Sequence, residues 1–201
     1  MKAEVRYSYA RHLQEYSNSD TEIKVKYLLS NYNRLPKLID SYESTWEIIV
    51  KAEKRYNARA ELGDIGIRVQ RTRNSNPTME EAIINTELEL VKSGTNLKVL
   101  VKGTDNPEQH IKEKLIIQDM RDDYSIIVNA IHSLDQKEEE LFLRYLNNEY
   151  DINDIADCNQ ITYTTAKRKI YDIRKAVILN ATENIKLKYG IINRGKANEK
   201  Q

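Results

Sequence analysis

The hydrophobic positions of the N-terminal half follow a long helical pattern. They alternate between spacings of three and four residues, as in a coiled coil or a helical hairpin, if Glu53 counts as the one polar member. Pro36 falls inside this pattern, and an internal proline removes a backbone hydrogen bond at a cost of about 3 kcal/mol. The proline should kink or split the helix, and because the pattern keeps its phase we expect a kink. The positions are Val25, Leu28, Tyr32, Leu35, Ile39, Tyr42, Trp46, Ile49, Tyr56 and Ala60.

A second pattern of the same kind begins near Pro107. The two patterns predict helices that pack antiparallel, either within one chain, which is the simpler interpretation, or between two copies as a homodimer. Between them, Pro77 predicts the start of a helix that ends near Ser93, and residues 95–105 fit a short strand or one helical turn. The positions of the second pattern are Ile117, Met120, Tyr124, Ile127, Ile131 and Leu134.

After Leu134 the pattern shortens and predicts three compact helices. The first covers about residues 135–146, the second about 152–157, and the third starts at Thr162, whose hydroxyl is well placed to cap it. The apolar spacing is that of a helix-turn-helix, in which a small residue lets two helices cross closely. The inward positions are Leu141, Phe142, Tyr145, Ile155, Ala156, Ile161, Ala166, Ile170, Ile173 and Val177.

These patterns predict an all-α fold, since only 6 glycines and 3 prolines interrupt the chain and strand-like alternation is scarce. We expect a long helical hairpin or coiled-coil part over residues 1–132, where interactions with a partner would lie. A compact helix-turn-helix domain follows over 133–180, and a basic C-terminal tail over 181–201.

The net charge of +1 conceals an uneven distribution along the chain. Residues 1–132 hold 20 basic and 20 acidic side chains, whereas residues 133–160 hold 2 basic and 8 acidic ones. Residues 161–201 then hold 10 basic and 3 acidic side chains, a net charge of +7. The reversal falls where the third compact helix begins. A basic helix after an acidic helix pair is typical of a nucleic-acid reader, although a dipolar solvated surface is the simpler explanation.

The third helix supplies the candidate DNA-binding residues. Its first exposed turns would lie in the major groove of double-stranded DNA, where Arg or Lys hydrogen-bonds a guanine edge and hydroxyls reach bases or phosphates. Two departures from common turns are Gln160, where glycine is frequent, and Asn159, where an apolar residue is frequent. A loop with Arg68, Arg71 and Arg73 is a secondary phosphate-contacting arm, a docking surface or a solvated segment. The candidates are Thr162, Tyr163, Thr164, Lys167, Arg168, Lys169, Tyr171, Arg174 and Lys175.

The segment "LDQKEEELFLRYLNNEYDINDIADCNQITYTTAKRKIYDIRKAV" resembles region 4 of sigma-70-type factors. The order of the whole chain, with "EIKVKYLLSNYNRLPKLIDSYES", "GDIGIRVQ" and "NPTMEEAI" ahead of that segment, is similar to phage late-gene transcriptional activators of the ArpU and RinA type. The resemblance implies a regulator that binds promoter DNA and contacts RNA polymerase in the cytoplasm of a bacterial host. Two alternatives are a DNA-packaging protein such as a terminase small subunit, and a coiled-coil adaptor that binds no DNA.

Other chemistry is weakly represented. His12, His110 and His132 are isolated from one another, no phosphate-binding, dinucleotide or nucleophile motif occurs, and Cys158 is the single cysteine. We therefore expect no enzyme activity, no cofactor, no metal site and no disulfide. The charged start of the chain and the lack of a long apolar run predict a cytoplasmic protein without a membrane anchor.

Overall fold

The computed structural model describes residues 2–61 and 97–198, which consist of helices and the turns that join them. The predicted all-α class is confirmed, since no strand occurs within these two ranges. None of the described helices combines the length and hydrophobicity that crossing a bilayer requires. The helix predicted after Pro77 lies outside the described residues. The helices are α1 (Lys2–Asn18), α2 (Thr21–Ser30), α3 (Leu35–Glu61), α4 (Leu97–Leu100), α5 (Pro107–His132), α6 (Gln136–Leu146), α7 (Ile152–Cys158) and α8 (Tyr163–Asn198).

The helices divide between two compact units, with boundaries after Asp40 and before Gln118. The first unit contains α1, α2, the start of α3, the C-terminal part of α5, and α6 to α8. The second contains the rest of α3, α4 and the N-terminal part of α5. The expected division at residue 132 does not coincide with this one, because helices from both ends of the chain pack together in the first unit.

The core of the first unit follows from the apolar stripe of α8. Its buried positions recur every three or four residues from Ala166 to Ile185, so one side of the helix is apolar over more than five turns. This side packs on α2, α6 and α7. Residues 181–198, expected to be a separate tail, therefore continue α8. The buried residues of the stripe are Ala166, Ile170, Ile173, Val177, Ala181 and Ile185.

Pro36 splits the first long helix and does not kink it, so that expectation was wrong. α2 ends at Ser30, a turn follows, and α3 begins at Leu35. Pro36 thus occupies the first turn of a new helix, where its missing N–H would lack an intrahelical partner in any case. The Nδ2 atom of Asn31 donates to the Tyr27 carbonyl at 2.8 Å, which satisfies one of the last carbonyls of α2.

In the second unit α3 and α5 run antiparallel, and the predicted pattern shifts along α3. Trp46 is buried as predicted and donates from Nε1 to the His110 carbonyl at 2.9 Å. Beyond it Val50 is buried, whereas Tyr56 is 72% exposed and Ala60 is exposed, contrary to the prediction. Here the half-buried Glu53 accepts from the Asp105 N–H of the α4–α5 turn at 3.3 Å, so polar contacts replace apolar ones on this part of α3.

Over residues 97–105, the described part of the segment 95–105, the structure decides between a short strand and a helical turn. Leu97–Leu100 is a single helical turn, and Gly103 has a φ of +85°, a conformation that favours glycine. Asn57 donates from Nδ2 to the Gly103 carbonyl at 3.0 Å and to Oδ1 of Asp105 at 2.8 Å. In α5, Ile117, Met120, Ile127 and Ile131 are buried as predicted and Tyr124 is half-buried, as is Leu134 just after the helix.

Candidate nucleic-acid interface

The two helices directly before α8, α6 and α7, end by the same local motif. After α6 the Glu149 N–H donates to the Arg144 carbonyl at 2.9 Å, and the Asn148 N–H donates to Tyr145 at 3.1 Å. Asn148 has a φ of +58°. This is a Schellman motif, in which a left-handed residue closes the helix and satisfies its last carbonyls. Asparagine tolerates that conformation better than most residues, so α6 has a defined end.

The start of α7 is fixed by a reciprocal cap between Asp151 and Asp154. The Asp151 carboxylate accepts from the Asn153 N–H at 2.7 Å and from the Asp154 N–H at 2.9 Å, while Asp154 accepts from the Asp151 N–H at 2.8 Å. The hydrogen bond from the Asp154 backbone and the neighbouring Asn153 bonds lower the pKa of Asp151. The cap sets the first turn of a helix of only 7 residues.

The turn between α7 and α8 explains one departure noted in the sequence. The Ile161 N–H donates to the Ala156 carbonyl at 3.0 Å and the Gln160 N–H to Asp157 at 3.2 Å, which is again a Schellman motif. Gln160 has a φ of +53°. It thus takes the left-handed conformation that glycine adopts without steric cost. The helix geometry is kept, and Gln160 carries the strain.

Thr162 caps α8 as predicted. Its Oγ1 accepts from the Thr165 N–H at 3.3 Å and lies 2.9 Å from the Thr165 hydroxyl. Ala166, one turn later, is fully buried, as the close crossing of two helices requires. Ile155 and Ala156 of α7 are buried as well. The turn and the buried alanine thus fix the direction in which the first turns of α8 point.

The predicted DNA-binding residues from 162 to 175 lie on the cap and the first half of α8. Tyr163 is 49% exposed and Tyr171 is 63% exposed, which is unusual for large aromatic side chains. The Arg168 side chain is 85% exposed, and its Nε atom lies 3.8 Å from Asp172. Lys169 and Arg174 are half-buried at the flanks. Arg68, Arg71 and Arg73 fall outside the described residues. The remaining candidates, Thr162, Thr164, Lys167 and Lys175, are all exposed.

The exposed side of α8 carries mostly positive charge. Residues 163–177 contain five basic side chains and one acidic side chain, Asp172. The first turn of α8, like those of α3 and α4, holds no acidic residue, whereas α2, α5, α6 and α7 each carry one or two there. Acidic residues normally offset the positive end of the helix dipole. The N-terminal part of α8 therefore combines the positive end of the helix dipole with an excess of basic side chains, which attracts anions.

A contact with α2 lies beside this surface and was not predicted. Arg174 donates from Nη2 to the Ser30 Oγ at 3.0 Å, across 144 positions of sequence. Ser30 is the last residue of α2, so the α2–α3 turn starts next to the basic face. The sequence carries no local signal for this contact, because the long-range packing of α2 on α8 creates it.

A buried polar cluster in the first unit was also missed. Asp123 is fully buried in α5 and accepts from the Lys188 Nζ at 2.9 Å and from the Tyr16 hydroxyl at 2.7 Å. The Tyr189 hydroxyl lies 3.4 Å from the same carboxylate. Lys24 reaches the Tyr189 hydroxyl at 3.3 Å and lies over the Tyr16 ring at 5.2 Å. Hydrogen bonds and a cation–π contact thus connect the charged and aromatic side chains around the Asp123 carboxylate.

The cluster changes the acid–base properties of its members. Burial opposes the charge of Lys188, but hydrogen bonds to Asp123 and Asp119 outweigh it, so the Lys188 pKa is raised. Burial and the Asp123 carboxylate raise the pKa of Tyr16 far above its usual range. Lys188 therefore stays protonated and Tyr16 stays neutral, which preserves the hydrogen bonds over the physiological range.

The histidines are less isolated than the sequence suggested. His110 is buried in the second unit, with Nε2 2.8 Å from the Glu53 carboxylate and Nδ1 3.7 Å from Glu113. Glu113, against burial and together with Glu53, raises the pKa of His110. His132 is exposed and lies 2.6 Å from Glu139. Across residues 2–61 and 97–198, no group of three or more His, Cys, Asp or Glu side chains is arranged to hold a metal ion.

Comparison of the chain with known proteins found no matching family model, no matching curated protein and no matching solved structure. The interpretation of the basic face of α8 therefore depends on its own geometry and charge.

Proposed function

We propose that the protein is a sequence-specific DNA-binding transcriptional regulator in which α7 and α8 act as a helix-turn-helix. α8 would enter the major groove with its N-terminal turns, and α6 and α7 would support it from behind. The observation that carries the proposal is the exposed basic face of α8, which begins directly after a tight turn and a capped helix start.

The chemistry of this face suits base recognition. Thr164, Arg168 and Lys175 are spaced by four and seven residues, so they follow one side of the helix. The major groove admits one α-helix, and an arginine there donates two hydrogen bonds to a guanine. Arg168 is exposed enough to reach a base edge, and the hydroxyl of Thr164 lies one turn before it. Lys167 is exposed at the side of this row.

The flanking basic residues suit phosphate contacts. Lys169 and Arg174 emerge at the edges of the exposed face, and Lys175 lies farther along the helix. Contacts to phosphates fix the position of a protein on DNA without reading its sequence. The exposed rings of Tyr163 and Tyr171 add hydroxyl groups that bond to phosphate oxygens. The face therefore holds groups for both kinds of contact.

The regulatory role is proposed from the resemblance of residues 134–177 to region 4 of sigma-70-type factors. By that resemblance the protein is a phage or prophage late-gene activator, and its bound position would bring it to RNA polymerase at a promoter. α6 carries three consecutive glutamates, Glu138 to Glu140, of which Glu140 is exposed, and acidic residues on an activator can complement basic residues of a polymerase.

The test is selection of bound sites from random double-stranded DNA with the purified full-length chain. We expect enrichment of one short motif and, on a template that carries it near a promoter, a change in transcription by a bacterial RNA polymerase. Failure to enrich any motif at low salt would contradict the proposal. Enrichment together with a ring-shaped assembly in native mass spectrometry, and no effect on transcription, would instead favour a DNA-packaging component.

A further inference from the structure

We infer that the α2–α3 turn is a second phosphate-contacting surface beside α8, with Arg34 and Lys37 as its contact residues. The inference depends on the proposed DNA binding and extends it to a part of the chain whose overall charge is balanced. It assigns to this turn a share of the affinity for DNA but none of the discrimination between sequences.

The position of the turn supports the inference. Arg174, on the flank of the basic face, donates to Ser30 at 3.0 Å, and Ser30 ends α2. The Arg34 and Leu35 N–H groups both donate to the Asn31 carbonyl, at 3.0 and 2.8 Å. The turn is therefore compact, and Arg34 lies about one helical turn from the residue that follows Ser30. A duplex seated on α8 would lie within reach of it.

The local charge points to an anionic partner. Residues 23–39 contain four basic side chains and no acidic one, although residues 1–132 as a whole are balanced. Lys24 is buried among tyrosines and Lys26 pairs with Glu22 at 2.5 Å, so both are engaged within the protein. The next acidic residue, Asp40, pairs with Arg121 at 2.9 Å. Arg34 and Lys37 thus remain as exposed cations on this segment.

The stability of α3 does not explain why Arg34 and Lys37 are basic. Arg34 directly precedes α3 and Lys37 lies in its first turn, where the helix dipole disfavours positive charge. The Nε atom of Arg34 donates to Oδ1 of Asn31 at 3.0 Å, which orients the guanidinium and leaves its two terminal nitrogens for other acceptors. A guanidinium held in this way is suited to a phosphate group.

The experiment measures binding of the full-length chain to the selected duplex and to a scrambled duplex, each at several salt concentrations. The double variant Arg34→Ala/Lys37→Ala should bind both duplexes about 10- to 30-fold more weakly at about 0.15 M salt, with a salt slope lower by about two. The preference for the selected site should not change, because phosphate contacts carry no sequence information. The charge-reversed variant Arg34→Glu/Lys37→Glu should lose more affinity for both duplexes than the double alanine variant.

The matched control is Lys102→Ala, an exposed lysine of the second unit. It should bind as the unchanged chain does, and all variants should keep the melting temperature within about 3 °C because the side chains are exposed. If both double variants bind like the unchanged chain while Lys175→Ala lowers the salt slope, the inference fails and the proposed function stands. If the unchanged chain itself shows no salt-dependent binding to duplex DNA, the proposed function fails.

Discussion

The hydroxyl of Tyr16 donates a 2.7 Å hydrogen bond to Oδ2 of Asp123, a contact between α1 and α5 across 107 positions of sequence. The other oxygen of Asp123 accepts from Lys188 of α8 at 2.9 Å. One fully buried carboxylate therefore holds three helices of the first unit together.

Replacing that carboxylate should destabilise the fold strongly. Asp123→Ala leaves the Tyr16 hydroxyl without its acceptor and leaves Lys188 with Asp119, at 3.0 Å, as its remaining close partner, so the cost should be about 3 kcal/mol, the lower end for a broken buried pair. Tyr16→Phe should cost about 1–3 kcal/mol, since it removes one hydrogen bond and keeps the ring. The measurement is the free energy of unfolding in urea. The control is Asp122→Ala, whose carboxylate is exposed and 3.7 Å from Lys188, and which should cost under about 1 kcal/mol.

The sequence predicted most of the buried face of α8 and the cap at its N-terminus, because both features depend on local properties of the chain. Apolar residues at spacings of three and four specify one side of a helix. The hydroxyl of Thr162 caps α8 by accepting from the N–H of Thr165, three residues later. The same rules predicted Pro107 as a helix start. The boundaries of α6 and α7 were also close, since Asn148 and Gln160 end helices through short-range hydrogen bonds.

Long-range contacts account for what the sequence did not predict. Asp123 lies outside the apolar pattern of α5 and resembles a solvent-exposed position, and only the contacts with Tyr16 and Lys188 make it a core residue. The contact of Ser30 with Arg174 depends in the same way on tertiary packing. The split at Pro36 was missed because the apolar spacing keeps its phase through the turn.

The second unit should lose stability as the pH rises above the unfolded-state pKa of His110. The pKa of His110 is raised in the folded state, so its contribution is fully present below the unfolded pKa of about 6.5 and is lost as the pH rises through the folded pKa. His110→Gln should remove this pH dependence, which is measured as the free energy of unfolding from about pH 5 to pH 9. His12→Gln, which keeps His110, serves as the control. An unchanged pH profile in His110→Gln would contradict the prediction.

The strain at Gln160 is open to a direct test. A residue other than glycine in the left-handed conformation costs about 1–2 kcal/mol. Glycine removes this cost, but it also raises the entropy of the unfolded chain, which cancels part of the gain in stability. Gln160→Gly should therefore stabilise the protein by up to about 1 kcal/mol, and Gln160→Val should destabilise it. Thermal unfolding measures both. The turn is not strained as described if glycine and valine have equal effects.

Two substitutions in α8 should weaken DNA binding in different ways if the helix recognises the DNA sequence. Arg168→Ala should cost about 1–3 kcal/mol at the selected site and relax discrimination at one base pair. Lys175→Ala should weaken all sequences alike and lower the salt slope by about one. Binding to the selected and the scrambled duplex at several salt concentrations separates the two. If Arg168→Ala and Lys167→Ala both leave the site preference intact, the basic face serves a different partner.

The continuity of α8 from Tyr163 to Asn198 gives the proposed interface an angular constraint. Each residue added to an α-helix rotates everything beyond it by about 100° and moves it by about 1.5 Å. One alanine inserted between Val177 and Ala181 would turn Arg168 by more than a quarter of a circle relative to Lys188. A seven-residue insertion would return it to within about 20°. Helical phase is thus a requirement of the interface that no substitution of its side chains would reveal.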